Sequence, residues 1–390
     1  MTDFHTEASN MQDQLVSWRR DLHRHPEPGM AEFRTAGIVA EHLQRLGYEV
    51  RTAVGGTGVI GLLGGKRPGP VVMIRFDMDA LPLTEETGTE YASQVAGQMH
   101  ACGHDGHVAI GMGLAELLAA HRDEIAGQVK LVFQPAEEHG TGAPAMVKDG
   151  VLENPRPDVF LSTHVWIEKR VGTVDVTSGP VMAAADAWSC TLRGRGGHGA
   201  MPEQTIDPIV AAAQVICTLQ TVVSRNVSPL DTAVVSVGAI HAGDAFNVIP
   251  AQVIMKGTIR TYQPSTRDVV LQRVRQVVEG VSAACGASAE FETSSVTPAV
   301  INDPSVTQLT RRAAEAIVGA ENVSSGERTM GSEDAAYFMQ QIPGCYFFLG
   351  ASNPEKGFDF PHHNSCFDFD EQALVLGVAI LAQAASFYLM

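Results

Sequence analysis

Two spacings of apolar residues alternate along the first half of the chain. Apolar positions recur at helical spacing in three segments, residues 11–25, 31–46 and 108–121. Short continuous apolar runs predict buried strands at residues 71–76, 129–133 and 158–165. Strands that alternate with helices in this way are typical of a layered α/β domain with a central sheet.

The pattern changes near residue 186. Strands are predicted at residues 187–192, 232–240, 252–261 and 288–293, and helices at residues 207–224 and 266–284. Four strands and two helices fit a small α+β domain of the ferredoxin-like type, inserted into the larger one. We therefore expect a catalytic domain with a central mixed sheet at residues 1–185 and 297–390, and the inserted domain at residues 186–296.

Residues 98–107 are the stretch richest in reactive side chains. They hold one thiol, three imidazoles and a carboxylate among flanking glycines. Cys102 and His104 are two residues apart and cannot share one helix face, so they can converge only from an extended or looped segment. Cysteine and histidine together suit zinc and its first-row neighbours. This segment therefore predicts part of a metal site.

Polar side chains also stand where other apolar runs end. Ligands prefer such strand ends in open α/β sheets. A further pair of histidines lies in a polar loop near the C-terminus. The residues in question are Asp77, Asp79, Glu137, Glu138, His164, His362 and His363. Together with residues 98–107 they make a binuclear metal site plausible.

Glu137 and Glu138 can hold different roles although they are adjacent. Neighbouring side chains on extended backbone point in opposite directions, so one glutamate can bind metal while the other faces a bound water.

Each cluster also has an ordinary structural explanation. His164 can be a hydrogen-bonded surface residue, the glutamates can be solvated, and Asp77 and Asp79 can cap a turn. The metal-site interpretation is favoured because all five clusters would otherwise need separate explanations.

Composition narrows the class of protein. The chain has 390 residues, of which 45% are hydrophobic, enough for two domains with full cores. The formal net charge of -17 argues against nucleic acid and acidic membranes as partners. We see no unbroken apolar run of membrane-spanning length and no signal-peptide pattern, so we expect a cytoplasmic protein whose cysteines stay reduced.

Five motifs together closely resemble the aminoacylase and carboxypeptidase family of metallohydrolases, in particular its amidohydrolase branch. That branch contains hippurate hydrolases, N-acyl-amino-acid hydrolases, auxin-conjugate hydrolases and acetyl-diaminopimelate deacetylases. The resemblance runs over residues 18–371. Its motifs lie at residues 77–82, 99–105, 134–138, 196–202 and 246–250.

The resemblance implies a ligand set for two divalent ions, which the residue types allow to be zinc, manganese, cobalt or nickel. Cys102 would bridge the two ions. Glu138 and His363 would complete one site, and His104 and His164 the other. His362 is the alternative to His363, which is preferred for its spacing from Phe367.

The same resemblance implies roles in catalysis. Glu137 would be the general base that deprotonates the attacking water and then protonates the leaving amine, and Asp79 would orient a metal ligand. His198 would stabilise the oxyanion in the active site of a partner subunit, so a homodimer or a dimer-based homo-oligomer is expected. Asn247 and Arg260 would bind the carboxylate or carbonyl end of the substrate.

The expected function is hydrolysis of N-acyl amino acids to a carboxylic acid and a free amino acid. Acetyl-diaminopimelate deacetylation and dipeptidase or carboxypeptidase activity stay open on the same scaffold. A cysteine-nucleophile mechanism through Cys102 would leave the glutamates and the other histidines unused. An inactive small-molecule binding protein is the alternative outside enzymes, but Glu137 and the ligand residues are all present.

Overall fold

The computed structural model describes residues 3–390, which divide into two compact units. Unit 1 consists of residues 3–181, 301–328 and 333–390, and unit 2 consists of residues 182–300 and 329–332. Unit 2 thus contains the expected insertion at residues 186–296 together with a few flanking residues and the short later segment 329–332.

Ten α-helices and sixteen strands are found among the described residues. The helices are α1 (Phe4–Ser9), α2 (Gln12–Arg24), α3 (Phe33–Arg45), α4 (His104–Ala120), α5 (Gly142–Lys148), α6 (Pro208–Asn226), α7 (Pro264–Ala284), α8 (Pro304–Val318), α9 (Ala336–Met339) and α10 (Gln372–Leu389). The strands are β1 (Glu49–Val54), β2 (Gly58–Gly64), β3 (Arg67–Asp77), β4 (Ala126–Gln134), β5 (Val159–Arg170), β6 (Val174–Asp175), β7 (Gly179–Met182), β8 (Ala184–Arg193), β9 (Gly197–His198), β10 (Ala233–Ala242), β11 (Val248–Ile249), β12 (Gln252–Thr261), β13 (Ser288–Thr297), β14 (Val300–Asn302), β15 (Val323–Ser324) and β16 (Gly344–Ser352).

Unit 1 is built on one sheet of eight strands in the order β1-β2-β4-β3-β5-β16-β6-β15. Its central strands β4, β3, β5 and β16 are parallel, whereas β1 and β2 join their neighbours antiparallel. Strand β6 is antiparallel to β16 and parallel to β15. The predicted mixed sheet is therefore confirmed. Asp77 pairs with Gln134 across the parallel strands β3 and β4, so both strands end at the same edge of the sheet.

Helix α4 begins earlier than the sequence pattern predicted. It starts at His104 rather than at residue 108, directly after Gly103, whose φ of 91° lies in the left-handed region. A glycine adopts that conformation without a Cβ clash. Cys102 therefore lies in the preceding loop, while His104 and His107 stand three residues apart on one face of the first helical turn.

Two helices, α6 and α10, are long and apolar enough on average to cross a membrane, although polar residues such as Gln214 and Gln383 interrupt them. Both have apolar residues in protein cores. In α10, 67% of the apolar window is buried inside the protein, and many of its residues belong to the core of unit 1. In α6 the share is 33%, and its buried residues belong to the core of unit 2.

Unit 2 has a four-stranded antiparallel sheet in the order β10-β12-β8-β13, with α6 and α7 packed on it. The chain order is strand, helix, two strands, helix, strand, which is the ferredoxin-like arrangement. Buried residues of the strands and of both helices form its core, among them Leu192, Val215, Val253 and Val274. The predicted fold class is confirmed for this unit as well.

Leucine truncation separates core from surface in unit 2. Leu192 is fully buried, whereas Leu230 is 96% exposed. We expect Leu192→Ala to lower the free energy of unfolding by about 2–5 kcal/mol, because it removes buried methyl groups and leaves a cavity. Leu230→Ala should change it by less than about 0.5 kcal/mol. Urea unfolding followed by circular dichroism measures both, and equal effects would contradict the packing described.

Candidate metal centre

The five residues expected to bind metal fall into two groups in unit 1. One group is Cys102, His104 and His164, and the other is Cys102, Glu138 and His363. Within each group the ligand atoms lie within 4.8 Å of one another. Cys102 belongs to both groups, so the geometry has room for two ions that share one thiolate.

His104 and Glu138 have buried atoms that lack hydrogen-bond partners. His104 Nδ1 donates to the carbonyl oxygen of Asp79 at 2.9 Å, so Nε2 carries the lone pair when the imidazole is neutral. That Nε2 atom and Oε1 of Glu138 are buried without a hydrogen bond. A buried polar atom with no partner costs about 1–3 kcal/mol. A divalent cation would satisfy both atoms, so these residues fit a metal.

His164 presents its remaining nitrogen to the thiol of Cys102. Its Nδ1 donates to the carbonyl oxygen of Val165 at 2.6 Å, and its Nε2 lies 3.5 Å from Sγ of Cys102. A hydrogen bond from one ring nitrogen to a backbone carbonyl fixes the tautomer of a metal-binding histidine. His104 and His164 show the same arrangement.

His107 lies next to these residues but has no free nitrogen. Its Nδ1 bonds to Oδ1 of Asp77 at 2.5 Å, and its Nε2 accepts from the backbone N–H of Val165 at 3.0 Å. Asp77 in turn accepts a hydrogen bond from Arg75 at 2.8 Å. Asp77 and His107 therefore support the site from outside, although their donor atoms also lie close to those of His104.

The two adjacent histidines His362 and His363 have different surroundings. His362 Nε2 accepts from the backbone N–H of Ile167 at 3.3 Å, and its ring packs against Trp166 and Phe367. His363 has a φ of 65°, and its Nε2 lies 3.3 Å from Oε1 of Glu138. The backbone turn at His363 thus directs the second imidazole to the metal group and leaves the first in a packed position.

Asp79 holds the two glutamates through their backbone. Its Oδ1 accepts from the N–H of Glu137 at 3.1 Å, and its Oδ2 accepts from the N–H of Glu138 at 3.0 Å. Its backbone carbonyl holds His104, as described above. Asp79 therefore contacts three of the residues that the sequence analysis singled out.

The electrostatic surroundings of Cys102 favour a cation. Burial, followed by the carboxylates of Glu138 and Glu137, raises the pKa of its thiol well above the usual value. A nucleophilic cysteine needs the opposite, a lowered pKa. A bound divalent ion favours the thiolate. Burial lowers the pKa of His104, but Asp77 and Asp79 outweigh it and raise that pKa to about 10.

Three charged residues near the site were missed by the sequence analysis. Glu333 and Asp334 have carboxylate oxygens within 4.8 Å of Glu137. Arg75 donates to Glu333 at 2.8 and 3.1 Å. Burial, then Glu333 and Asp334, raise the pKa of Glu137. In the sequence, Arg75 could have been noticed as a charged residue inside the apolar run of β3. Glu333 and Asp334 could have been noticed as two adjacent acids.

The other three expected residues lie in unit 2. His198 is on β9 and pairs with Val248 of β11, which directly follows Asn247. Arg260 lies on β12 and donates to Ser332 Oγ at 3.1 Å. Burial lowers the pKa of Arg260. The structure thus brings His198 and Asn247 together on one two-stranded ribbon, and it places Arg260 on the larger sheet.

Comparison with known proteins gives this geometry a family. The family model for peptidase family M20/M25/M40 matches residues 73–386. The chain belongs to this family. It is 39% identical to N-acetyl-L-cysteine deacetylase of Bacillus subtilis (strain 168) over 377 residues, 97% of this chain and 88% of that protein.

Two further proteins that this chain resembles are a plant enzyme and a bacterial protein of known structure. IAA-amino acid hydrolase ILR1-like 4 of Arabidopsis thaliana is 38% identical over 382 residues, 97% of this chain and 86% of that protein. The crystal structure of Bacillus subtilis YXEP protein, a dinuclear metal-binding peptidase of the M20 family, has a TM-score of 0.85 and 36% identity, and covers 97% of this chain and 98% of that one. The chain is therefore a metal-dependent amide hydrolase with two divalent metal ions.

The neighbouring histidines give a matched test of the metal site in this M20 member. We expect His363→Gln to lose one of the two bound ions, because His363 Nε2 faces Glu138. His362→Gln should retain both ions, because its amide oxygen can still accept the N–H of Ile167. Elemental analysis of dialysed protein measures the stoichiometry. Loss of metal in His362→Gln alone would reverse the assignment.

Proposed function

We propose that this chain hydrolyses N-acyl amino acids to a carboxylic acid and a free amino acid. The observation that carries the proposal is Glu137, a carboxylate beside two ligand groups that share Cys102. The names of the relatives support it, since a deacetylase of an N-acetylated amino acid and a hydrolase of an amino-acid conjugate act on the same kind of bond.

The proposed ligands are the five residues described above. Cys102 would be shared by both ions, Glu138 and His363 would complete one site, and His104 and His164 would complete the other. Two divalent ions supply a Lewis acid for the scissile carbonyl and lower the pKa of bound water. Thiolate, imidazole and carboxylate donors suit zinc, manganese, cobalt or nickel, and zinc and manganese are our first candidates.

In the proposed reaction Glu137 takes a proton from the attacking water and delivers it to the leaving amine. A side chain that transfers a proton in this way typically contributes about 10²–10⁴-fold to the rate. The backbone N–H of Glu137 is held by Asp79, so the side chain starts from a fixed position. Asp79 is accordingly a positioning residue that serves Glu137, Glu138 and His104.

The substrate contacts are assigned to unit 2. Arg260 carries a planar guanidinium that can bind both oxygens of the amino acid's carboxylate. Asn247 lies beside His198 on the short ribbon, and both can donate to carbonyl oxygen. His198 is the proposed oxyanion donor, a role that typically contributes about 100- to 1000-fold to the rate.

We further propose that the chain forms a homodimer through unit 2, so that His198 acts in the partner's active site. Strand β10 is at the edge of its sheet and has a neighbour, β12, on one side only among the described residues. An exposed edge strand can pair with a second copy of the same chain. Ile240 on this strand is 48% exposed, and Phe246 in the loop after it is fully exposed.

A cytoplasmic location is proposed because it keeps the Cys102 thiol reduced.

A substrate panel tests the proposed reaction. Metal-stripped protein should be inactive and should regain turnover of benzoyl, acetyl or indole-acetyl amino acids when zinc, manganese or cobalt is added. Glu137→Gln should bind metal normally but lose activity by about 10²–10⁴-fold, the contribution that is typical of a proton-transfer group. Release of free amino acid measures turnover.

The panel also includes acetyl-diaminopimelate and dipeptides. Preference for either would assign the chain to a different substrate class within the family. Full activity of Glu137→Gln would remove Glu137 from the mechanism. No turnover of any amide by the metal-loaded protein would favour a binding protein on the same fold.

Mixing two inactive variants tests whether His198 acts across a dimer. A His198→Ala chain keeps Glu137, and a Glu137→Gln chain keeps His198. Random exchange of subunits should restore about a quarter of wild-type activity, because half of the dimers are mixed and each has one complete site. Size-exclusion chromatography with light scattering gives the oligomeric state. No recovery in a dimeric mixture would place His198 in its own chain's site or outside the site.

A further inference from the structure

The loop at residues 135–142 carries Glu137 and Glu138, and it closes tightly on itself. The backbone N–H of Gly142 donates to the carbonyl of Ala136 at 3.2 Å, and that of Gly140 to the carbonyl of Glu137 at 2.7 Å. A Cβ on Gly142 would lie 1.6 Å from the carbonyl oxygen of Pro135, so only glycine fits there. The two ends of the loop therefore meet, and its position depends on what holds those ends.

The first end is held by Glu32. Ala136 has a φ of 49°, a left-handed conformation that is unfavourable for a residue with a Cβ. Its backbone N–H donates to Oε1 of Glu32 at 2.8 Å. Gly29 packs directly on this residue, since a Cβ there would lie 2.9 Å from Cβ of Ala136. The strained residue directly before Glu137 is thus fixed by a side chain from a distant part of the chain.

Glu32 is an unusual residue to find in this place. It is fully buried, and within residues 3–390 it forms no ion pair. Its second oxygen accepts a hydrogen bond from the hydroxyl of Thr57. Burial of a carboxylate without a cation is costly. The hydrogen bonds that offset this cost come from the hydroxyl of Thr57 and the backbone N–H of Ala136.

The second end is held by Asp334. Its Oδ2 accepts from the backbone N–H of Ala143 at 2.9 Å, and its Oδ1 accepts from the side-chain amide of Gln134. Gln134 is the last residue of β4, and its amide oxygen accepts from Arg75 Nε at 2.8 Å. Asp334 thus ties the residue before the loop to the residue after it.

We propose that Glu32 and Asp334 are positioning residues that clamp the loop at residues 135–142 and so hold Glu137 and Glu138 at the metal centre. This inference rests on the proposed function, because it assumes that Glu137 and Glu138 are the base and a metal ligand. Asp79 holds the middle of the same loop. A displacement of about 1 Å in a reacting group can lower a rate about 100-fold, so clamps outside the site matter to the reaction.

Substitutions at Glu32 test the clamp. Glu32→Met removes both acceptor oxygens at similar length, whereas Glu32→Gln keeps an oxygen for the N–H of Ala136. We expect Glu32→Met to lower kcat roughly 10- to 100-fold, in the range seen for residues that orient metal ligands. KM should change by less than about 3-fold, because no substrate contact is removed. Glu32→Gln should restore most of kcat.

The visible absorption of cobalt-substituted protein is the readout that does not depend on turnover. Ligand-field bands respond to the position of a coordinating carboxylate, here Glu138. Glu32→Met should shift these bands or lower the cobalt stoichiometry, and Glu32→Gln should leave them as in wild type. Asp334→Leu should act like Glu32→Met, because it releases the other end of the loop.

Asp303→Ala is the matched control. Asp303 is also a carboxylate of unit 1 that accepts two backbone N–H groups, those of Ser305 and Val306, and it caps α8. Its removal should lower the midpoint of unfolding but leave kcat and the cobalt bands unchanged. A general loss of stability is thereby separated from a displaced loop.

Thr57→Val keeps the test decisive if Glu32→Met does not fold. It removes only the hydroxyl that orients Glu32, and it should lower kcat about 3- to 10-fold with a smaller shift of the cobalt bands. Wild-type kcat and wild-type bands in every folded variant at Glu32, Thr57 and Asp334 would overturn the clamp. Full activity of Glu137→Gln would instead overturn the proposed function, so the two failures are distinguishable.

Discussion

The candidate site depends above all on the hydrogen bonds of Asp79. This buried carboxylate receives the backbone N–H groups of Glu137 and Glu138, and its carbonyl fixes the tautomer of His104. The loop after β3, the start of α4 and the loop after β4 meet there. Each of these segments alone is only a polar end of a strand or helix. The hydrogen bonds of Asp79 join the three segments into one site.

Negative charge is the second constraint on unit 1. A thiol and several carboxylates are buried together, which is costly unless cations balance them. Arg75 supplies one cation, on the side of Asp77 and Glu333. His104 Nε2 and Glu138 Oε1 are buried without a hydrogen bond, and both residues are among the proposed ligands of the ions that would supply the rest. The protein thus balances the charge partly with its own guanidinium and partly with the two ions on which hydrolysis depends.

The insertion of unit 2 shapes how the chain builds this centre. His363 follows the insertion in sequence, whereas the other four proposed ligands precede it, so unit 1 must be completed by a segment that is synthesised last. The clamp residue Asp334 also belongs to this late segment. The ferredoxin-like unit has its own core and an edge strand, β10, which are the features on which its proposed roles in substrate binding and association rest.

The sequence by itself determined the α/β layering and the ferredoxin-like insertion, because apolar spacing is a local property, and its resemblance to the family implied the five ligand residues, whose ligand atoms converge. Only the tertiary structure decided which imidazole nitrogens are free. Nε2 of His107 and Nε2 of His362 each accept a backbone N–H group of β5, a strand distant in sequence, whereas Nε2 of His104 has no hydrogen bond and that of His363 faces Glu138. The last part of the chain, with β16 and α10, was not predicted in detail. The hydrogen bonds of Glu32 could not be predicted from the sequence, because a hydrogen bond between distant segments leaves no periodic pattern in it.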